Sequence, residues 1–73
     1  MNANDTVREM LKREHISAER VALGMGKSKS YLTSFLATRV DPRTATLVNI
    51  CDYLGYDLIA RDRSDGYEFF IGP

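Results

Sequence analysis

The sequence predicts a mainly α-helical domain of four short helices that ends in a C-terminal β-hairpin. Apolar residues recur at intervals of three and four residues as far as residue 54, which is the spacing of helices that bury one face. Beyond residue 56 the pattern changes to short runs of β-branched and aromatic residues. A chain of 73 residues supports only one small core, because short chains bury a small fraction of their surface. We therefore predict a single domain spanning residues 1–73.

The first helix is predicted over residues 6–14, after a frayed start at residues 1–4. Thr6 and Glu9 form a Thr-x-x-Glu capping box, in which each side chain bonds the backbone N–H of the other residue. His15 ends this helix and is expected to be exposed, as is favourable for histidine near a helix C-terminus. No other His or Cys lies near it in sequence, so we expect no metal site. The predicted buried stripe is Val7, Met10 and Leu11.

The second and third helices are predicted over residues 17–25 and 28–37, joined by a tight turn. Ser17 and Ser28 are the expected N-caps, because a serine hydroxyl accepts a bond from a free N–H of the first turn. Gly26 interrupts the pattern where a positive φ lets the backbone turn sharply. The apolar positions of this pair are Val21, Ala22, Met25, Leu32 and Phe35.

The fourth helix is predicted over residues 44–54 and is followed by a hairpin over residues 57–71. Pro42 stops regular structure before this helix, and Gly55 terminates it. The Asp65-Gly66 pair between two apolar runs is a strong hairpin signal, since glycine tolerates the positive φ that the turn requires. The predicted helical stripe is Leu47, Ile50, Cys51 and Leu54.

Charge is distributed unevenly along the chain, although the formal net charge is zero. Residues 1–43 hold eight Lys and Arg against five Asp and Glu, a net of +3, while residues 44–73 hold two against five, a net of −3. The first part of the chain is therefore the part suited to an anionic partner such as nucleic acid.

Several classes of function are disfavoured by the sequence. Gly26-Lys27-Ser28 resembles part of a phosphate-binding P-loop, but Val21 stands where that motif needs its first glycine. No serine has a credible histidine base, so we expect no enzyme activity and no cofactor. Cys51 is a lone cysteine on an apolar helical face, which favours an inert thiol and a reducing compartment. With no apolar run long enough for a membrane span, we expect a cytoplasmic protein that does not bind membranes.

The stretch from Ile16 to about Leu58 resembles the lambda-repressor-like, Cro-like (XRE-type) family of helix-turn-helix DNA-binding proteins. The resemblance rests on a hydrophobic residue followed by Ser, a small Ala, a Gly turn, a polar helix, an Asp-Pro loop and a last helix that ends in Leu-Gly. In this sequence these features are Ile16-Ser17, Ala22, Gly26, residues 28–32, Asp41-Pro42 and Leu54-Gly55.

The resemblance implies that the third helix enters the major groove of double-stranded DNA while the second crosses the backbone. Carried over by position, the residues that would face bases are Lys29, Ser30, Thr33 and Ser34. Those that would contact the DNA backbone are Ser17, Lys27, Ser28, Tyr31, Arg39 and Arg43. The third helix lacks the Arg, Asn and Gln side chains that make two-bond base contacts. Each copy of the domain is therefore expected to bind its DNA half-site with modest affinity.

The sequence therefore predicts a transcriptional regulator, most simply a repressor, that binds a palindromic operator as a homodimer. The hairpin is the candidate dimer element, because an isolated two-stranded ribbon is marginal and its outer edge is free to pair. An alternative is an antitoxin-type or adaptor protein whose main role is protein–protein interaction. In the antitoxin case the acidic residues 44–73 are the expected surface for a toxin.

Overall fold

A computed structural model describes residues 2–38 and 40–72 and confirms four helices followed by a two-stranded antiparallel hairpin. The chain divides into two compact units, Met1–Arg43 and Thr44–Pro73, the first with three helices and the second with the fourth helix and the hairpin. The elements are α1 Ala3–Glu14, α2 Ala18–Gly24, α3 Tyr31–Ala37, α4 Thr44–Leu54, β1 Ile59–Arg61 and β2 Glu68–Phe70.

Helix α1 begins three residues before the predicted start. Its N-cap is Asn2, whose Oδ1 accepts a bond from the N–H of Asp5 at 2.8 Å. Thr6 instead donates its hydroxyl to the carbonyl of Asn2 at 3.1 Å, so the predicted capping box with Glu9 is wrong. Asparagine caps as well as threonine does, and an earlier start also places Asp5 in the first turn, where a negative charge is favourable. The prediction of a frayed start is therefore wrong for residues 2–4, which form the cap and the beginning of the first turn of α1.

Helix α1 ends where the sequence predicts, at His15. This residue adopts a left-handed conformation with φ 54°, and the N–H of Ile16 bonds back to the carbonyl of Leu11 at 3.2 Å. Left-handed backbone at a helix end satisfies the last carbonyls, which would otherwise lack donors.

Helix α2 has the predicted cap, whereas α3 begins later than expected. Ser17 Oγ accepts a bond from the N–H of Arg20 at 3.1 Å. Ser28 is not the cap of α3: its carbonyl accepts a bond from the N–H of Tyr31 at 3.0 Å, which closes a turn ahead of the helix. Ser30 occupies the N-cap position without a side-chain bond, so residues 28–30 form a turn rather than the first turn of α3.

The core of the first unit is formed by apolar side chains of α1, α2 and α3. Helices α2 and α3 pack on each other, and Ala22 and Leu32 are fully buried there. Phe35 and Met25, predicted as core, are only half-buried, because the buried face of α3 passes through Leu36. The buried apolar residues of this unit are Val7, Leu11, Val21, Ala22, Leu32 and Leu36.

The second unit contains α4, which has the predicted bounds, and the hairpin. Val48, Ile50 and Cys51 are the buried residues of α4, while the predicted Leu47 and Leu54 are half-buried. After the helix, Gly55 has φ 84°, and the N–H of Tyr56 bonds to the carbonyl of Cys51 at 2.8 Å. This is the glycine-terminated helix end that the sequence predicts.

The hairpin pairs Ile59 with Phe70, Ala60 with Phe69 and Arg61 with Glu68. Gly66 has φ 77°, as expected for the Asp-Gly signal, and its N–H bonds to the carbonyl of Asp62 at 2.9 Å. The carboxylate of Asp62 also accepts bonds from the N–H and hydroxyl of Ser64, which lower the pKa of this aspartate. These bonds close the connecting loop over residues 63–66.

Candidate nucleic-acid interface

The turn between α2 and α3 is fixed by backbone hydrogen bonds around Gly26. The N–H of Gly26 bonds to the carbonyl of Leu23 at 3.0 Å, and the N–H of Lys27 bonds to the carbonyl of Ala22 at 2.9 Å. Gly26 has φ 77°, while a Cβ at this position would meet no atom within 4 Å. Backbone conformation alone therefore requires glycine here, and the turn places Lys27 at the start of the segment that leads into α3.

The four predicted base-reading residues lie together on an exposed surface, called here the reading face. Lys29 and Ser30 occupy the turn before α3, and Thr33 and Ser34 lie in its first helical turn; all four are exposed. Residues three and four apart on a helix are neighbours, so Ser30 adjoins both Thr33 and Ser34. The opposite side of the same helix is buried through Leu32 and Leu36. One side of α3 thus packs while the other is available to a partner.

A hydrogen bond on the reading face limits which groups the Thr33 hydroxyl can bond. Its hydroxyl donates to the carbonyl of Ser30 at 3.1 Å. A hydroxyl has one proton and two acceptor lone pairs, so Thr33 retains only its accepting capacity in this geometry. Toward a partner it is an acceptor of N–H or O–H groups.

Two lysines bring positive charge to this surface: Lys29 lies within the reading face and Lys27 lies beside it. The ammonium of Lys27 lies 5.6 Å from the centre of the half-buried Tyr31 ring, which is a cation–π contact. Within residues 2–38 and 40–72, neither Lys27 nor Lys29 forms an ion pair with a carboxylate. Both charges remain available to an anion.

A family model described as helix-turn-helix matches residues 7–60, more than half of the chain. The chain belongs to the lambda-repressor-like helix-turn-helix family. It is thus a DNA-binding helix-turn-helix regulator, as the sequence predicts. No curated protein and no solved structure matches the chain significantly. Among the described helices, none has both the length and the apolar character that a membrane span requires.

The predicted backbone-contacting residues of this helix-turn-helix regulator fall into two groups. Lys27, Ser28 and Tyr31 flank the reading face in the same turn and helix start. Ser17 and Arg43 are exposed elsewhere, and no hydrogen bond or ion pair among the described residues joins them to that group. Arg39 lies outside the described residues.

Two residues of α1 that sequence reasoning missed bond to the C-terminal end of α3 and the residues that follow it. Asn4 is only 6% exposed, and its Nδ2 donates to the carbonyls of Thr38 and Val40 at 3.3 and 3.4 Å. Arg8 donates from Nη2 to the carbonyl of Leu36. The sequence did contain a signal for Asn4. This residue lies at helical spacing from Val7 and Leu11, so it shares their helix face and is a polar residue that faces the core.

Proposed function

We propose that this helix-turn-helix regulator is a repressor that binds a palindromic operator as a dimer, with the reading face in the major groove. The observation that carries the proposal is that face itself: exposed polar side chains in and just before a helix whose other side is buried, with Lys27 at its edge. Among the described residues, neither Lys27 nor Lys29 forms an ion pair. Repression needs only occupancy of the operator, for which such a surface is sufficient. Helix-turn-helix domains place the second helix of the pair in the groove in this manner.

Base recognition is assigned to Lys29, Ser30, Thr33 and Ser34. Lys29 is suited to guanine, whose O6 and N7 accept bonds from a lysine ammonium. Thr33, which keeps only its accepting capacity, is suited to the amino groups of adenine or cytosine. Ser30 and Ser34 bond to several base edges and contribute less discrimination. The proposed readout is therefore concentrated on few base pairs in each half-site.

Backbone contacts are assigned to the remaining residues of the sequence prediction. Lys27, steadied against Tyr31, is suited to a phosphate at the edge of the groove. The other proposed phosphate contacts are Ser17, Ser28, Tyr31, Arg39 and Arg43. Contacts of this kind orient the protein on the duplex and make its affinity depend on salt concentration.

A dimer follows from the small extent of each reading face. One short helix with few side chains that can make two hydrogen bonds to a base distinguishes too few base pairs for a specific site. Two copies of the domain double the number of base pairs that are recognised. Twofold symmetry then matches two half-sites about 34 Å apart on one side of the duplex. The hairpin is the proposed dimer element.

The test compares the affinity of the chain for DNA from its own upstream region with its affinity for shuffled DNA. Fluorescence anisotropy would measure binding of the full chain to duplexes from the region upstream of its own gene, with shuffled duplexes of equal length as controls. We expect one upstream duplex to bind at least about tenfold more tightly than its shuffled form, since specific affinity normally exceeds non-specific affinity by far more. Weak, equal binding to every duplex would instead favour the antitoxin-type or adaptor function, with the acidic residues 44–73 as the partner surface.

A further inference from the structure

The two ends of helix α3 are held by different elements of the first unit. At its N-terminal end, the turn around Gly26 joins α3 to α2, and the N–H of Tyr31 bonds to the carbonyl of Ser28 at 3.0 Å. At its C-terminal end, side chains of α1 bond to backbone carbonyls of α3 and of the residues that follow it. The orientation of α3 is therefore set at one end by α2 and at the other by α1.

A helix as short as α3 depends on such contacts. It has seven residues, and an isolated helix of that length is marginal in water. Ser30, at its N-cap position, makes no side-chain bond to the first turn. Leu32 and Leu36 are the buried residues of α3, and both lie on one side of it. Because two apolar side chains constrain the tilt of a helix only in part, bonds at its ends supply the rest of the constraint.

Arg8 bonds to the last turn of α3. Its Nη2 donates to the carbonyl of Leu36, one of the last four carbonyls of the helix, which have no partner within it. Its Nη1 donates to Oδ1 of Asp5 at 3.2 Å, one turn earlier on α1. The bond to Asp5 orients the planar guanidinium, and a positive charge is favourable at a helix C-terminus. Arg8 thus fixes where α3 ends relative to α1.

Asn4 holds the backbone just beyond α3. Its Nδ2 donates to the carbonyls of Thr38 and Val40 at 3.3 and 3.4 Å, and the residue is only 6% exposed. Residues four apart lie on the same side of a helix, so Asn4 and Arg8 act from one side of α1. A bond to a buried amide is costly to lose, because no water replaces it. The two side chains together constrain the end of α3 and the chain after it.

We infer that Arg8 and Asn4 are positioning residues for DNA recognition, which set the tilt of α3 and with it the placement of Thr33 and Ser34. The inference rests on the proposed function and deepens it, since neither residue is assigned a contact with DNA. Hydrogen bonds to base edges weaken steeply when distance or angle departs from the optimum. Attraction between a cation and phosphates is less directional, so a small tilt of α3 removes base contacts before backbone contacts.

The quantity that tests the inference is a ratio of two affinities. Fluorescence anisotropy measures the affinity of each variant for the upstream duplex that the unmodified chain prefers and for its shuffled form. A variant that unfolds in part lowers both affinities by the same factor, so the ratio is unchanged. Loss of a charge that contacts phosphates also lowers both affinities and reduces their dependence on salt. A displaced reading face lowers the ratio itself.

Arg8→Met and Lys12→Met form a matched pair on α1. Each removes one positive charge and one exposed ion pair, Arg8 with Asp5 and Lys12 with Glu9, but among the described residues only Arg8 also bonds to α3. Arg8→Met should lower the ratio by about tenfold or more, the value of one good base contact. Lys12→Met should keep the ratio within about threefold, because an exposed pair contributes little. The two variants should bind shuffled DNA alike and with equal salt dependence.

Asn4→Ala and Thr6→Ala form a second pair, which leaves the net charge unchanged. Asn4→Ala removes both bonds to the backbone after α3, whereas the Thr6 hydroxyl bonds only to the carbonyl of Asn2. Asn4→Ala should lower the ratio by about threefold or more, because displaced base contacts lose part of their discrimination. Thr6→Ala should leave the ratio unchanged. Circular dichroism measures the folded fraction of each variant in the same buffer.

The inference alone is overturned if the unmodified chain prefers the upstream duplex and either Arg8→Met or Asn4→Ala retains that preference in full. It is also overturned if Arg8→Met weakens binding to both duplexes equally and lowers the salt dependence, because Arg8 would then contact a phosphate. In both cases the proposed function stands. Equal binding of the two duplexes by the unmodified chain would instead overturn the proposed function and this inference with it.

Discussion

Lys29, in the reading face, and Lys27, at its edge, differ in how their charges are held. The ammonium of Lys27 is held over the Tyr31 ring at 5.6 Å, at the edge of the reading face. Lys29 is exposed in the turn before α3 and is free of any ion pair among the described residues. An oriented charge at the rim suits a phosphate, whereas a free charge ahead of the helix suits a base edge.

This difference predicts distinct effects of removing each charge. Lys29→Ala should weaken binding to the operator by about 1–3 kcal/mol and change binding to shuffled DNA little. Lys27→Ala should weaken binding to both and reduce the slope of log affinity against log salt concentration by about one. Anisotropy titrations at several salt concentrations measure both quantities.

The control for both variants is Lys12→Ala, which removes the same charge from α1. Lys12 lies 3.5 Å from Glu9 in an exposed pair, so its loss should change neither affinity nor salt slope appreciably. If Lys29→Ala lowers affinity for all sequences equally, Lys29 contacts phosphates and the assignment of base reading moves to Ser30, Thr33 and Ser34.

The sequence predicted which residues form the reading face, but it did not predict the hydrogen bonds that those residues make. The exposure of Thr33 and Ser34 follows from helical periodicity, because the apolar residues of α3 fix which side is buried. Lys29 and Ser30 are exposed in the turn before α3, where the sequence predicted a helix. The bond from the Thr33 hydroxyl to the Ser30 carbonyl does not follow from periodicity. It depends on the side-chain rotamer and on where the helix begins. That bond narrows the set of bases that Thr33 is proposed to recognise.

Among the elements, those with a single start or stop signal were predicted most closely. Helix α2 has one good cap in Ser17, and α4 has one terminator in Gly55. The start of α1 is ambiguous, because Asn2, Asp5 and Thr6 are all capping residues. Contacts distant in sequence decide such cases, and here the bonds from Asn4 and Arg8 to the end of α3 accompany the earlier start.

The contact between α1 and the end of α3 predicts a stability effect at Asn4. Asn4→Ala removes both hydrogen bonds to the carbonyls of Thr38 and Val40 and leaves a small void, which should cost about 1–3 kcal/mol of unfolding free energy. The loss of an unpartnered, buried Oδ1 offsets part of this cost. Urea unfolding followed by circular dichroism measures the change.

Thr6→Ala is the matched control on the same helix. Its exposed hydroxyl bonds only to the carbonyl of Asn2 within the helix, so its removal should change stability by about 0.5 kcal/mol or less. Equal effects of the two substitutions would mean that the Asn4 amide does not stabilise the contact with α3. Its burial would then be a consequence of packing alone.

At the scale of the whole molecule, the chain divides at residue 43 into two compact units that carry opposite net charge. The predicted single domain requires these units to fold together. Chains below about 40 residues seldom fold alone without disulfides, metals or association. The second unit, residues 44–73, falls below that size and buries only Val48, Ile50 and Cys51 within α4. Its stability is therefore expected to depend on the rest of the chain.

Cys51 reports on this dependence because burial raises the pKa of its thiol and shields it from reagents. We expect its alkylation in urea to begin at the same concentration at which the amides of Val7 and Leu11, in the core of α1, lose protection from hydrogen exchange. Coincident transitions from probes in the two units are the signature of one cooperative domain. Alkylation of Cys51 at clearly lower urea, with α1 still protected, would show that the two units unfold separately.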